Sequence, residues 1–178
     1  MAENSNNQEK PSKRSKAILW LRDGLILLCI LAAVEVWQGW NHPREPLDSD
    51  LQTKVYPTLQ EQTAALWTPD KPALVYAFAP WCSVCQNDAS VINPFLGDER
   101  LHVVSLALSW DATKDLIDFQ KDTGLASPIL LGSDDEVQAL GLTAFPSYYL
   151  IDKNGAIVHS WSGFTTRVGL WLRIKTLL

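Results

Sequence analysis

Tyr76-Ala77-Phe78-Ala79-Pro80-Trp81-Cys82-Ser83-Val84-Cys85 is the stretch that decides the fold. Residues 73–79 are apolar throughout and read as a buried strand. Residues 86–95 suit a helix, so the two cysteines fall at a strand-to-helix junction. There a Cys-x-x-Cys spacing puts both sulfurs within disulfide range, the first at the helix start and the second one turn in. In that setting the spacing indicates redox chemistry rather than metal binding. Unpaired amides and the positive end of the helix dipole stabilise a thiolate, which makes Cys82 the expected nucleophile.

The pattern on the C-terminal side alternates strand and helix. The spacing predicts a helix over 83–96, a β-branched strand over 101–109, and a helix capped by Asp111 that stops at Gly124. A short strand over 128–131 follows. Ser133-Asp134-Asp135-Glu136 is a capping box for a short helix ending at Gly141, and its acids read as a solvated helix start. Strands over 147–151 and 156–161 flank the hairpin signal Asp152-Lys153-Asn154-Gly155. Thr165 or Thr166 caps a last apolar helix. This order predicts an α/β domain with a central mixed sheet flanked by helices.

On the N-terminal side, residues 1–16 are polar and read as a disordered tail. Lys10, Lys13, Arg14 and Lys16 precede an apolar run over 17–40, interrupted by Arg22, Asp23, Glu35 and Gln38. The run reaches the roughly 20 residues that a spanning helix needs. Trp20, Trp37 and Trp40 lie near its ends, where an aromatic belt sits. Cations before the run and mixed-to-acidic residues after it place the N-terminus in the cytoplasm and the rest outside. A cleaved signal peptide is the rival, but Ala32-Ala33-Val34 is a poor cleavage site. Cys29 lacks the small residues that precede a lipidated cysteine, and reads as an inert apolar residue. Residues 41–70 are expected to be a linker and N-terminal extension, with one short strand or helix between 47 and 70 and no chemistry.

Composition excludes several classes. Three cysteines, Cys29, Cys82 and Cys85, exclude a disulfide-stapled scaffold and a four-thiolate zinc site. A net charge of −5 with no basic aromatic stripe after residue 45 argues against nucleic acid as a partner. His42, His102 and His159 share no ligand spacing, and no metal site is expected. A copper or zinc chaperone using the cysteine pair is the rival function. Its weakness is that Met1 is the only methionine, in a chain whose compartment would call for thioether ligands.

Three blocks carry a family resemblance: 76–85; the strand–helix insert over 103–124 with Ser127-Pro128-Ile129-Leu130-Leu131; and 141–152 with Lys153-Asn154-Gly155. Over 71–178, and in its anchor topology, the chain resembles membrane-anchored thioredoxin-fold proteins. These are the cytochrome c maturation reductases and their TlpA-like relatives. Trp81 to Cys85, Ser105-Leu106-Ala107-Leu108-Ser109 and the C-terminal run from Ser162 are most similar to suppressor-of-copper-sensitivity D proteins.

The resemblance implies a thioredoxin fold with a TlpA-like strand–helix insert and a protein thiol–disulfide oxidoreductase. Its redox group would be a Cys82–Cys85 disulfide, with no other cofactor. It implies a cis peptide before Pro146, opposite the cysteines, exposing the Phe145 backbone to substrate. Phe145 is larger than the usual residue there. Tyr76 stands where thioredoxins carry a buried acid, and Asp88 matches an active-site acid of the apocytochrome reductases. Asp88 either takes the proton of Cys85 or complements the helix dipole. Trp81 either shields the pair and docks substrate or fills space, and Pro146 is otherwise an ordinary trans turn. The implied setting is a single-pass protein of the bacterial inner membrane, with the domain in the periplasm. It would reduce protein disulfides with electrons from a membrane thiol protein. An oxidase of the same fold, or an inactive docking module, are the alternatives.

Overall fold

The computed structural model describes residues 22–26, 29 and 45–178. The chain divides into two units, 1–42 and 43–178. In the first, the described residues are helical, and Arg22 pairs with Asp23 at 3.1 Å. Most of the expected anchor over 17–40, and all of the tail, lie outside the described residues. No helix among the described residues is long and apolar enough to cross a membrane.

Among its described residues the second unit has eight strands: β1 (Glu45–Pro46), β2 (Val55–Pro57), β3 (Thr63–Ala65), β4 (Ala73–Phe78), β5 (His102–Ala107), β6 (Ile129–Leu131), β7 (Ser147–Ile151) and β8 (Ala156–Ser162). Its helices are α1 (Ser49–Thr53), α2 (Ser83–Asp88), α3 (Thr113–Thr123), α4 (Asp134–Ala139) and α5 (Arg167–Leu177). A six-stranded sheet has the order β1-β8-β7-β4-β5-β6. β4, β5 and β6 are parallel, whereas β7 runs antiparallel to β4, as β8 does to β7. This is the mixed sheet of a thioredoxin-like fold.

β4 is central, and all six of its residues are buried. Alternation along it splits the core in two. Leu74, Tyr76 and Phe78 face one layer with Ile92, Leu116, Phe119, Tyr148 and Leu170. Ala73, Val75 and Ala77 face the other, with Leu51, Tyr56, Leu66, Leu106 and Tyr149. Phe78 stacks on Phe119 at 4.4 Å, which fastens α3 over the strand that delivers the cysteines. Truncating such a ring costs about 3–5 kcal/mol.

Several expectations are corrected. The helix after the cysteines is α-helical only to Asp88 and continues as a 3-10 helix over Ala89–Phe95. Pro94 lies inside that segment and has no amide to give, so the tail tightens to i→i−3 bonds such as Leu96 N–H to Asn93 O at 3.2 Å. Asp111 does not cap α3, whose N-cap is Ala112, with Asp115 accepting from the Ala112 amide at 3.3 Å. Gly124 ends α3 at φ 66°, as expected of a left-handed C-cap. Thr166, rather than Thr165, caps α5 by accepting from the Gly169 amide.

Residues 47–70 hold a helix and two strands, not one short element. β2 and β3 form a hairpin, and the Leu59 amide donates to Ile129 O at 2.9 Å, so the hairpin continues onto the β6 edge. Nor is the start of α4 fully solvated. Glu136 is buried, takes the Lys54 ammonium and the Tyr56 hydroxyl, and reaches back to the Ser133 amide at 2.6 Å. Period alone hides this, because its partners are about 80 residues away. His102 is half-buried in β5, with Nε2 2.9 Å from Ala65 O.

Candidate active site

β4 ends at Phe78, and the chain turns through Ala79 and Pro80 into α2. The Cys82 amide closes this turn on Ala79 O at 3.1 Å. Cys82 is the N-cap of α2, with extended backbone (φ −78°, ψ 112°). Its Sγ accepts from the Cys85 amide at 3.2 Å. A sulfur in that place answers a helix-start amide that would otherwise lack a partner. Both sulfurs are free thiols. Cys82 is 8% exposed and Cys85 fully buried, so Cys82 is the accessible member. Burial, reinforced by the neighbouring Cys82 sulfur, pushes the Cys85 thiol far up. Cys85 therefore keeps its proton until something removes it.

Three polar groups from three elements sit under this helix. Tyr76 of β4 donates to Cys85 O at 3.1 Å. Tyr148 of β7, opposite Tyr76 in the antiparallel register, donates to Asp88 Oδ2. The two rings are 5.2 Å apart. The Thr165 amide donates to the same Asp88 oxygen at 3.2 Å. Asp88 is 2% exposed, and its other oxygen, Oδ1, is buried without a hydrogen-bond partner. Burial raises the Asp88 carboxyl above the ordinary carboxylate range, against the opposing pull of Tyr148 and Thr165. Asp88 is the last residue of α2 and the N-cap of the 3-10 segment that follows, to which its side chain gives no cap hydrogen bond.

The opposing wall is the loop before β7. The Phe145–Pro146 peptide is cis. Gly163 donates to Pro146 O at 2.8 Å and takes φ 93°, a conformation that favours glycine. Phe145 meets Trp81 edge-on, with centroids 5.8 Å apart. Trp81 is 66% exposed, and its indole N–H donates to Ser109 O at 2.8 Å. It is thus braced at the surface rather than used to fill the core. Val84 and Phe164 are also exposed. Phe164 lies between Gly163, bonded to Pro146, and Thr165, bonded to Asp88. Sequence reading missed this exposed residue, since only this pair of tertiary bonds ties its loop to the cis-proline and to Asp88. Trp81 also borders a groove of about 470 Å³ that Asp111, Asp115, Asp118 and Asp122 line.

A strand-delivered cysteine pair capping a helix, faced by a cis-proline loop, is an arrangement suited to thiol–disulfide exchange. The Redoxin family profile matches residues 48–167. The chain belongs to the Redoxin family. Its curated relatives include the thiol:disulfide interchange protein DsbE of Escherichia coli K12 and that of Shigella flexneri. Each is 27% identical over 154 residues, covering 78% of this chain and 82% of the relative. Among solved structures, MTB dsbF matches with a TM-score of 0.63 and 22% identity, over 72% of this chain and 97% of that one. A secreted Mycobacterium tuberculosis disulfide oxidoreductase matches at 0.62 and 19%, over 73% and 99%. These structural likenesses carry the fold. This Redoxin-family chain is a thioredoxin-like thiol–disulfide oxidoreductase.

Proposed function

We propose that the chain is a membrane-anchored, extracytoplasmic oxidoreductase that reduces protein disulfides through Cys82 and Cys85. The observation that carries the reading is the asymmetry of the pair: Cys82 caps a helix and reaches the surface, whereas Cys85 is buried and held protonated. Cys82 thiolate attacks one sulfur of a substrate disulfide, forming a mixed disulfide and releasing the other sulfur as a thiolate. Cys85 then loses its proton and attacks the Cys82 sulfur. The Cys82–Cys85 disulfide forms and the reduced substrate leaves. Asp88, one turn beyond Cys85 on α2 and buried with it, is the proton acceptor, directly or through water. Trp81, Phe145 and Pro146 form the surface on which a substrate strand docks. No cofactor beyond the cysteine pair enters this cycle.

The anchor is supported by the apolar run over 17–40 and the cations before it. The interrupting charges Arg22 and Asp23 pair with each other, which lowers their cost near a bilayer. The reading places the domain in the periplasm of a bacterium, tethered to the inner membrane. The family resemblance favours reduction over oxidation. In an oxidising compartment reduction needs electrons from a membrane thiol partner.

Direction is tested by equilibrating the full chain in glutathione and dithiothreitol buffers and reading the Cys82–Cys85 state by alkylation. The reductase reading predicts a potential well below about −120 mV, the value of a strong periplasmic oxidant. A potential at or above that value refutes it.

A further inference from the structure

Asp88, at the end of α2, is the acid held by Tyr148 of β7 and by the loop before α5. Asp88 is gripped at one oxygen only: Tyr148 and the Thr165 amide both donate to Oδ2, and Oδ1 is buried with no partner. Two donors on one oxygen leave the other as the place where a proton binds. The grip is rigid, because the Tyr148 ring lies between two neighbours. Tyr76 is 5.2 Å away on one side, and Trp161 stacks at 4.9 Å and 7°. Arg173 lies over the Trp161 ring at 4.8 Å. The phenol is therefore aimed by packing.

We propose that Tyr148 is a positioning residue for disulfide exchange: it fixes Asp88 through Oδ2 so that Oδ1 is presented as the proton-binding atom for Cys85. The proposal rests on the reading of Asp88 as the proton acceptor. In the resolving step, Cys85–SH passes its proton to the Asp88 carboxylate at Oδ1. The Cys85 sulfur attacks Cys82, the Cys82–substrate bond breaks, and the substrate leaves as a thiolate that takes a proton from water. Asp88–H later returns its proton to solvent. Tyr148 neither gains nor loses a proton, since burial and the adjoining carboxyl keep its phenol protonated far above neutral pH. Tyr148 from β7 bonds Asp88 and Tyr76 from β4 feels its charge, Cys85 lies one turn earlier on the same helix, and His159 stacks on Trp161 behind Tyr148. Arg173 stands one ring further out.

The experiment isolates the resolving step. The full chain, with glutathione coupled to Cys82 as a mixed disulfide, is followed for glutathione release as a function of pH. Release is expected to rise with pH as Asp88 ionises. Losing a hydrogen bond to a carboxylate moves its pKa up by about one unit or more, so Tyr148→Phe should shift that limb upward by this amount. Asp88→Asn should remove the limb, and Tyr148→Phe added to Asp88→Asn should move nothing further. If Asp88→Asn leaves the limb in place, the acceptor reading itself fails. If Asp88→Asn removes the limb but Tyr148→Phe leaves its midpoint unmoved, the acceptor stands and the positioning role is refuted. A fluorinated tyrosine placed at 148 keeps the ring shape and strengthens the donor, and should shift the limb downward. An upward shift or none would overturn the proposal even if Tyr148→Phe folds poorly.

Discussion

The Trp81 indole stands edge-on to the Phe145 ring at 89°, so that the residue before Cys82 touches the residue before the cis-proline. This contact joins the two sides of the active site at the surface, and the Ser109 carbonyl holds it there. Trp81→Ala should lower kcat/KM for a protein disulfide about 10-fold, the loss of a modest interface anchor. Turnover of a small disulfide such as glutathione disulfide should change far less. Because the ring is mostly exposed, Tm should move by less than about 2 °C. Equal losses on both substrates would mean that Trp81 acts on the cysteines and not on docking.

Phe164 extends the same surface. It is 66% exposed. Phe164→Ser is predicted to raise KM for a protein disulfide several-fold with kcat retained, the pattern of lost uniform binding. A fall in kcat at unchanged KM would place Phe164 in the chemistry instead.

Glu136 and Lys54 tie the N-terminal hairpin region to α4. Burial raises the Glu136 carboxyl, but Lys54 and the Ser133 amide and hydroxyl outweigh it and hold the group at about 2. A depressed carboxylate pKa adds stability that is present above its unfolded value and lost as pH falls through the folded one. The window is therefore about pH 4.5 down to 2. Lys54 is 42% exposed, which discounts the contribution to about 1–2 kcal/mol. Lys54→Ala should lower Tm at pH 7 by about 3–6 °C and flatten the acid limb of the stability profile. A parallel shift at every pH would contradict this assignment.

Asp88 has the opposite sign. Its carboxyl is raised by burial, so between the unfolded and native pKa values the native state holds a proton that the unfolded chain has already released. Stability then falls as pH rises from the ordinary carboxylate value through the native pKa of Asp88. Asp88→Asn should raise Tm at neutral pH while slowing exchange. Thermal melts across pH 4 to 8 check this, and a destabilised Asn variant at neutral pH would contradict it.

The strand before the cysteines, the terminal hairpin, the last helix and the mixed sheet were legible because each is set by local period or turn chemistry. The Asp152 side chain taking the Asn154 and Ala156 amides is such a local device. Asp88 was legible as an acid one turn past Cys85. What surrounds it was not. Tyr148 meets Asp88 only through the β4–β7 register, and Thr165 only through the fold of the loop before α5. The burial of Glu136 likewise depends on residues 54 and 56 arriving from the hairpin. The helix break at Asp88 was foreshadowed by Pro94, though the proline falls six residues later.

The central claim is that exchange runs through Cys82, with Cys85 resolving it. It is tested most directly by incubating the full chain carrying Cys85→Ser with an oxidised protein substrate and mapping adducts by mass spectrometry. The account predicts a stable mixed disulfide on Cys82, and none of comparable yield when Cys82→Ser is used with Cys85 intact. Equal trapping by the two variants, or an adduct that maps to Cys29, would contradict it.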